Sequence, residues 1–136
     1  MGQIEQIAEY LDLYKFRGVF MRQLLPEVAH EIECGILNLG DLSSGGTHWT
    51  CYVKSGHTKL YFDSFGDAKP PKELVDYLGG NDLFYNTERV QDFADPPICG
   101  HLCLEVLKQN TEGNDWEDIM RTVRDHKYGW QSWFPY

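Results

Sequence analysis

Ile4, Ile7, Ala8, Leu11 and Tyr14 fall on one helical face, so the N-terminal segment is predicted to be an amphipathic helix of about three turns that ends by Gly18. From Val19 to Leu39 the apolar residues are interrupted by Pro26, Gly35 and Asn38 with no sustained period, and this stretch reads as irregular chain with short extended pieces. Two β-prone runs follow, Thr47 to Val53 and Lys59 to Asp63, separated by Lys54-Ser55-Gly56-His57-Thr58. With Ser55 and Gly56 at the tip of a hairpin, Trp49 faces Phe62, Cys51 faces Leu60 and Val53 faces Thr58. On the other side of the ribbon His48 then faces Asp63, at a separation that imidazole and carboxylate can bridge.

Pro70-Pro71 resets the chain before a short helix from Lys72 to Leu78, which Gly79-Gly80 ends. Leu83 to Val90 can hold another strand. Cys99, Leu102, Cys103, Val106 and Leu107 then recur at helical spacing as far as Gln109, with Asp95 as a cap candidate and Pro97 in the first turn. A last helix opens at Asn114 or Asp115 and runs to Thr122 or Arg124. The aromatic tail of Tyr128, Trp130, Trp133, Phe134 and Tyr136 is expected to pack over the core. Together these elements predict an α+β fold: a small antiparallel or mixed sheet with helices packed against it, and Cys99 at the N-terminus of a central helix.

A chain of 136 residues suits one core, so residues 1–136 are expected to form a single domain. Its formal charge of -9, from 21 acidic and 12 basic residues, opposes a phosphate backbone and disfavours nucleic acid as a partner. No run approaches the roughly 18 to 20 apolar residues that cross a bilayer, and Met1 to Leu13 lacks the pattern of a signal peptide. Neither membrane association nor secretion is therefore expected, and the compartment is intracellular and reducing. Cys34, Cys51, Cys99 and Cys103 must each be core filler, metal ligand or nucleophile there. A zinc site of Cys99, Cys103 and His101, completed by Cys34, His30 or His57, is disfavoured because His101 points away from both cysteines on any helix. No metal or cofactor is expected, and neither glycine pair, at 45 and 46 or at 79 and 80, has the spacing of a phosphate-binding loop.

Cys99 is the candidate nucleophile, since the unpaired amides and positive end of a helix favour thiolate over thiol. A nucleophile of this kind needs a base that takes its proton and returns one to the leaving amine, which imidazole does near neutral pH. His48 is that candidate, and Asp63 is placed to orient it. Gln91, eight residues upstream of Cys99, can offer an amide to the oxyanion together with the backbone N–H of Cys99. Gly100 permits close approach of substrate to the backbone, and Trp49 is hairpin core that also suits a cleft wall. Cys51 and Cys103 are read as core.

The run Gly46-Thr47-His48-Trp49, the strand Tyr61-Phe62-Asp63-Ser64-Phe65-Gly66, and Gln91 followed by Cys99-Gly100-His101-Leu102-Cys103 resemble one family in their order. These are the cysteine peptidases that include adenovirus-type endopeptidases and the proteases of ubiquitin-like modifiers, and the likeness is closer to the viral and mobile-element branch. The resemblance implies a cysteine endopeptidase with His48, Asp63, Gln91 and Cys99 as catalytic residues, acting on a polyprotein or virion proteins in the host nucleus or the virion. It also implies a basic activating peptide, which the acidic charge would suit. Two alternatives stand beside it: a deubiquitinase or ubiquitin-like-modifier isopeptidase, and a catalytically silent adaptor of the same fold. Capture by a ubiquitin-type C-terminal electrophile distinguishes the first, and sluggish alkylation of Cys99 relative to Cys103 the second.

Overall fold

The computed structural model describes residues 2–40, 48–66, 69–80, 82–91 and 98–127. Among the described residues five strands form one sheet in the order β1-β2-β3-β4-β5: β1 Phe16–Met21, β2 Ile32–Asn38, β3 Trp49–Ser55, β4 Thr58–Asp63 and β5 Leu83–Tyr85. The two outer pairs, β1 with β2 and β4 with β5, are parallel, and the inner pairs are antiparallel, so the sheet is mixed as predicted. The helices among the described residues are α1 Gly2–Leu11, α2 Lys72–Tyr77, α3 Cys99–Thr111 and α4 Trp116–Asp125, with a 3-10 turn at Arg22–Leu24.

Apolar side chains leave the sheet on both faces because successive residues of a strand point in opposite directions. On one face Ile36, Cys51, Val53 and Phe62 meet Ile4, Ile7 and Ala8 of α1, Leu102, Val106 and Leu107 of α3, and Ile119 and Val123 of α4. On the other face Leu37, Tyr52 and Tyr61 pack against Leu74 and Leu78 at α2. Asp115 caps α4 as expected, its side chain accepting the Asp118 N–H at 2.8 Å.

Three expectations are corrected. The segment read as irregular contains the end of β1 and the inner strand β2, in which every residue from Glu33 to Asn38 is buried. Burial on both faces erases the alternation by which a strand is recognised. The strand expected over Leu83 to Val90 ends at Tyr85. The hairpin register is shifted by two residues: Ser55 pairs with Thr58, Val53 with Leu60, Cys51 with Phe62, and Thr50 with Asp63. Gly56, at φ +60°, takes the first central position of the two-residue turn and His57 the second, which is the arrangement a Gly-X hairpin prefers. An even shift keeps each side chain on its intended face. The expected cap at Asp95 with Pro97, the start of the first β-run at Thr47, and the aromatic tail lie outside the described residues; α3 is preceded by Ile98, which makes no side-chain cap.

Candidate active site

The two-residue shift places His48 diagonally across from Asp63, within reach of a long side chain. His48 stands just before β3, where its carbonyl accepts the Leu39 N–H at 2.8 Å and continues the β2–β3 ladder by one rung. Its Nε2 lies 2.7 Å from Oδ1 of Asp63. Asp63 closes β4 and opens a tight turn, with Gly66 N–H donating to its carbonyl at 2.9 Å and Phe65 N–H to its Oδ1 at 3.0 Å. One carboxylate oxygen thus holds both the turn and the imidazole.

Asn86 fixes the backbone of Asp63 from the other side. Just past the end of β5, its Oδ1 accepts the Asp63 N–H at 3.0 Å while its Nδ2 donates to the Asp63 carbonyl at 2.6 Å. A side-chain amide here replaces a rung of the β4–β5 ladder. Gly66, at φ +64°, brings the turn against the 88–89 backbone, where an added Cβ would stand 2.4 Å from the Glu88 carbonyl oxygen. Gly66→Ala is accordingly expected to lower stability by about 2 to 3 kcal/mol, read as an earlier urea midpoint.

Cys99 is the first residue of α3 and is buried, and its Sγ accepts the backbone N–H of Trp49 at 3.4 Å. The Cys99 side chain lies close enough to the His48 ring to favour its charged form. Since Nε2 is committed to Asp63, Nδ1 is the nitrogen left to exchange a proton with the thiol. Burial alone would lower the pKa of His48, but the hydrogen bond to Asp63, the nearby Cys99 side chain and the charges of both outweigh it and raise the pKa from 6.5 to about 9. The stability this pairing contributes is fully present below pH 6.5 and lost as pH rises through about 9. Phe65 packs on the imidazole with ring centroids 5.2 Å apart, and the Arg89 guanidinium lies over the Phe65 ring.

The other thiols have a different setting. Cys103, one turn along α3, is fully buried and its pKa is raised well above the ordinary range, chiefly by desolvation. Burial pushes Cys34 up to about 12, and Cys51 lies in the same core cluster. Among the described residues, no three His, Cys, Asp or Glu side chains are arranged to hold a metal ion.

Gln91 is buried and tied to the turn after Asp63: its Oε1 accepts the Ser64 hydroxyl at 2.8 Å and its N–H donates to the Ser64 carbonyl at 2.9 Å. Trp49 is half-buried against the main core. The space a Cβ would take at Gly100 is held by Ile4 Cδ1 at 2.8 Å and Trp49 Cδ1 at 3.3 Å, so packing of α1 and Trp49 by itself favours a small residue there. His48, Asp63, Trp49 and Cys99 therefore form one bonded group, with Gln91 attached to it through Ser64. Sequence reasoning missed Asn86, Phe65 and Ser64 as parts of this group; for the last two the signal was their position directly after Asp63, while Asn86 carried none.

A fold with this arrangement of sheet and helices is found among proteases. The ASFV pS273R protease matches with a TM-score of 0.51 at 14% identity, over 90% of this chain and 62% of that one. Its selenomethionine form matches with a TM-score of 0.47 at 19% identity, over 71% of this chain and 43% of that one. The chain thus spans less than two thirds of these proteins, and what they share with it is the fold. No family model and no curated protein matches the chain. No helix among the described residues is long and apolar enough to cross a membrane.

Proposed function

We propose that the protein is a cysteine endopeptidase that hydrolyses peptide bonds with Cys99 as nucleophile, His48 as base and acid, Asp63 as the group that orients the imidazole, and Gln91 as an oxyanion donor. The observation that carries this reading is the Asp63–His48 contact at 2.7 Å beside Cys99, whose Sγ accepts the N–H of Trp49, the residue after His48, at the start of a helix. The protease fold shared with the ASFV pS273R protease supports it. The Cys99 thiolate attacks the scissile carbonyl carbon, and the oxyanion that forms takes hydrogen bonds from the Cys99 N–H and the Gln91 amide. As the C–N bond breaks, the imidazolium gives its proton to the leaving amine and a thioester remains. His48 then takes a proton from water, whose oxygen displaces the thiolate and releases the acid.

Substrates in this reading are viral or element-encoded polyproteins or virion proteins, in keeping with the viral branch that the motifs resemble. The test is mass-spectrometric profiling of the products of wild-type and Cys99→Ala protein side by side. Products common to both would refute the assignment.

The pH profile carries a second prediction. Imidazolium is the acid that expels the amine, so kcat/KM is expected to fall as pH rises through about 9, where His48 loses its proton. A rate that stays flat from pH 7.5 to about 10 would contradict the ion-pair assignment.

A further inference from the structure

Ser64 holds the segment that carries Gln91 at three points. Its carbonyl accepts the N–H groups of Val90 at 2.8 Å and Gln91 at 2.9 Å, and its hydroxyl donates to Gln91 Oε1 at 2.8 Å. Ser64 is fully buried and Gln91 is buried. The serine hydroxyl has no other partner among the described residues.

A primary amide presents an acceptor at one end and two donors at the other, and the two orientations are nearly equal in shape. They are opposite in electrostatic effect. An oxyanion is stabilised only by the N–H end, while an inverted amide would set a carbonyl lone pair against the developing charge. Ser64 breaks this symmetry. Its hydroxyl carries one hydrogen, and in this buried setting Gln91 Oε1 is the acceptor for it. Turning the amide over would make the hydroxyl accept from Nε2 and strand its own hydrogen without a partner, the costly condition for a buried donor.

We infer that Ser64 is a positioning residue that locks the orientation of the Gln91 side-chain amide, so that only its N–H end is offered to the reacting carbonyl. The inference deepens the proposed endopeptidase reading and rests on it. Because the Ser64 backbone also follows Asp63 directly, one turn sets both the carboxylate that orients the base and the amide that meets the oxyanion.

A double-mutant cycle tests this on the full chain. Ser64→Ala is expected to lower kcat about tenfold with KM little changed, and to cost less than about twofold when Gln91 is already alanine, because a residue that acts through another adds nothing once that one is gone. Ser64→Thr, which keeps the hydroxyl, is expected to restore most of the rate. Equal losses in both Gln91 backgrounds would overturn the inference and assign Ser64 a merely structural role.

Nuclear magnetic resonance of the Gln91 side-chain amide in the resting protein reads the same link without substrate. Two sharp, distinct Nε2 proton signals in wild type are expected to broaden or shift in Ser64→Ala, and unchanged signals would overturn the inference. If Gln91→Ala itself kept full kcat, the oxyanion assignment would fall. That result is separable, since the amide signals would still report whether Ser64 holds Gln91.

Discussion

Replacing Cys99 by alanine is expected to lower turnover by about 10⁴- to 10⁶-fold while leaving the protein folded. The loss is large because in the proposed mechanism every covalent step passes through the sulfur, and no neighbouring thiol can take its place. Cys103 is sealed in the core with its proton held by burial, and Cys34 is pushed up to about 12 by the same cause. The fold should tolerate the change, since the substitution removes one atom and one weak acceptor of the Trp49 N–H. Circular dichroism and the urea midpoint measure that part, and product formation over hours measures the rest.

The second large effect concerns stability, on the other face of the sheet. Glu33 lies in the inner strand β2 with its carboxylate buried, and it accepts from Tyr52 Oη at 2.5 Å, Tyr77 Oη at 2.8 Å, Arg17 Nη1 at 3.1 Å and the His30 N–H at 2.6 Å. This carboxylate joins β1, β2, β3 and α2. Glu33→Ala leaves two phenols and a guanidinium facing a hole, and is expected to cost about 3 to 5 kcal/mol. On a chain of this size that is a fall in Tm on the order of 10 °C or more. The folded fraction should keep its kcat, because the cluster and Cys99 lie against opposite faces of the sheet. A urea midpoint within error of wild type would show that the cluster contributes nothing net.

How much of this the sequence reveals depends on whether the signal is local. The helical spacing of Leu102, Cys103, Val106 and Leu107 marks α3 because one face of that helix meets the core, and Asp115 marks the start of α4 because capping is a short-range interaction. The hairpin is legible from two β-prone runs around Gly56, although its register required knowing which turn position the glycine occupies. β2 is hidden for the opposite reason. Its residues are buried on both faces, with polar Glu33 and Asn38 among them, and Gly35, which breaks the run, is required because the Tyr52 ring crosses directly over it.

The candidate site divides in the same way. His48, Asp63, Gln91 and Cys99 can be picked out by residue type and order, and the adjacency of His48 and Asp63 follows from the hairpin even with the register off by two. Asn86 cannot be found so, and the place of Ser64 directly after Asp63 does not disclose its partner. Their contacts, with Asp63 and Gln91, join residues 23 and 27 positions apart, and nothing in an isolated asparagine or serine announces a distant backbone or amide partner.

The central claim is that the thiol of Cys99 is set apart from the other three by its contact with the His48 ring. Site-resolved iodoacetamide labelling of the native protein, followed by mass spectrometry, measures this directly. Cys99 is predicted to react at least about tenfold faster than Cys34, Cys51 or Cys103, and to lose most of that advantage in His48→Ala. A Cys99 that is alkylated no faster than Cys103, or at a rate indifferent to His48, would contradict the account.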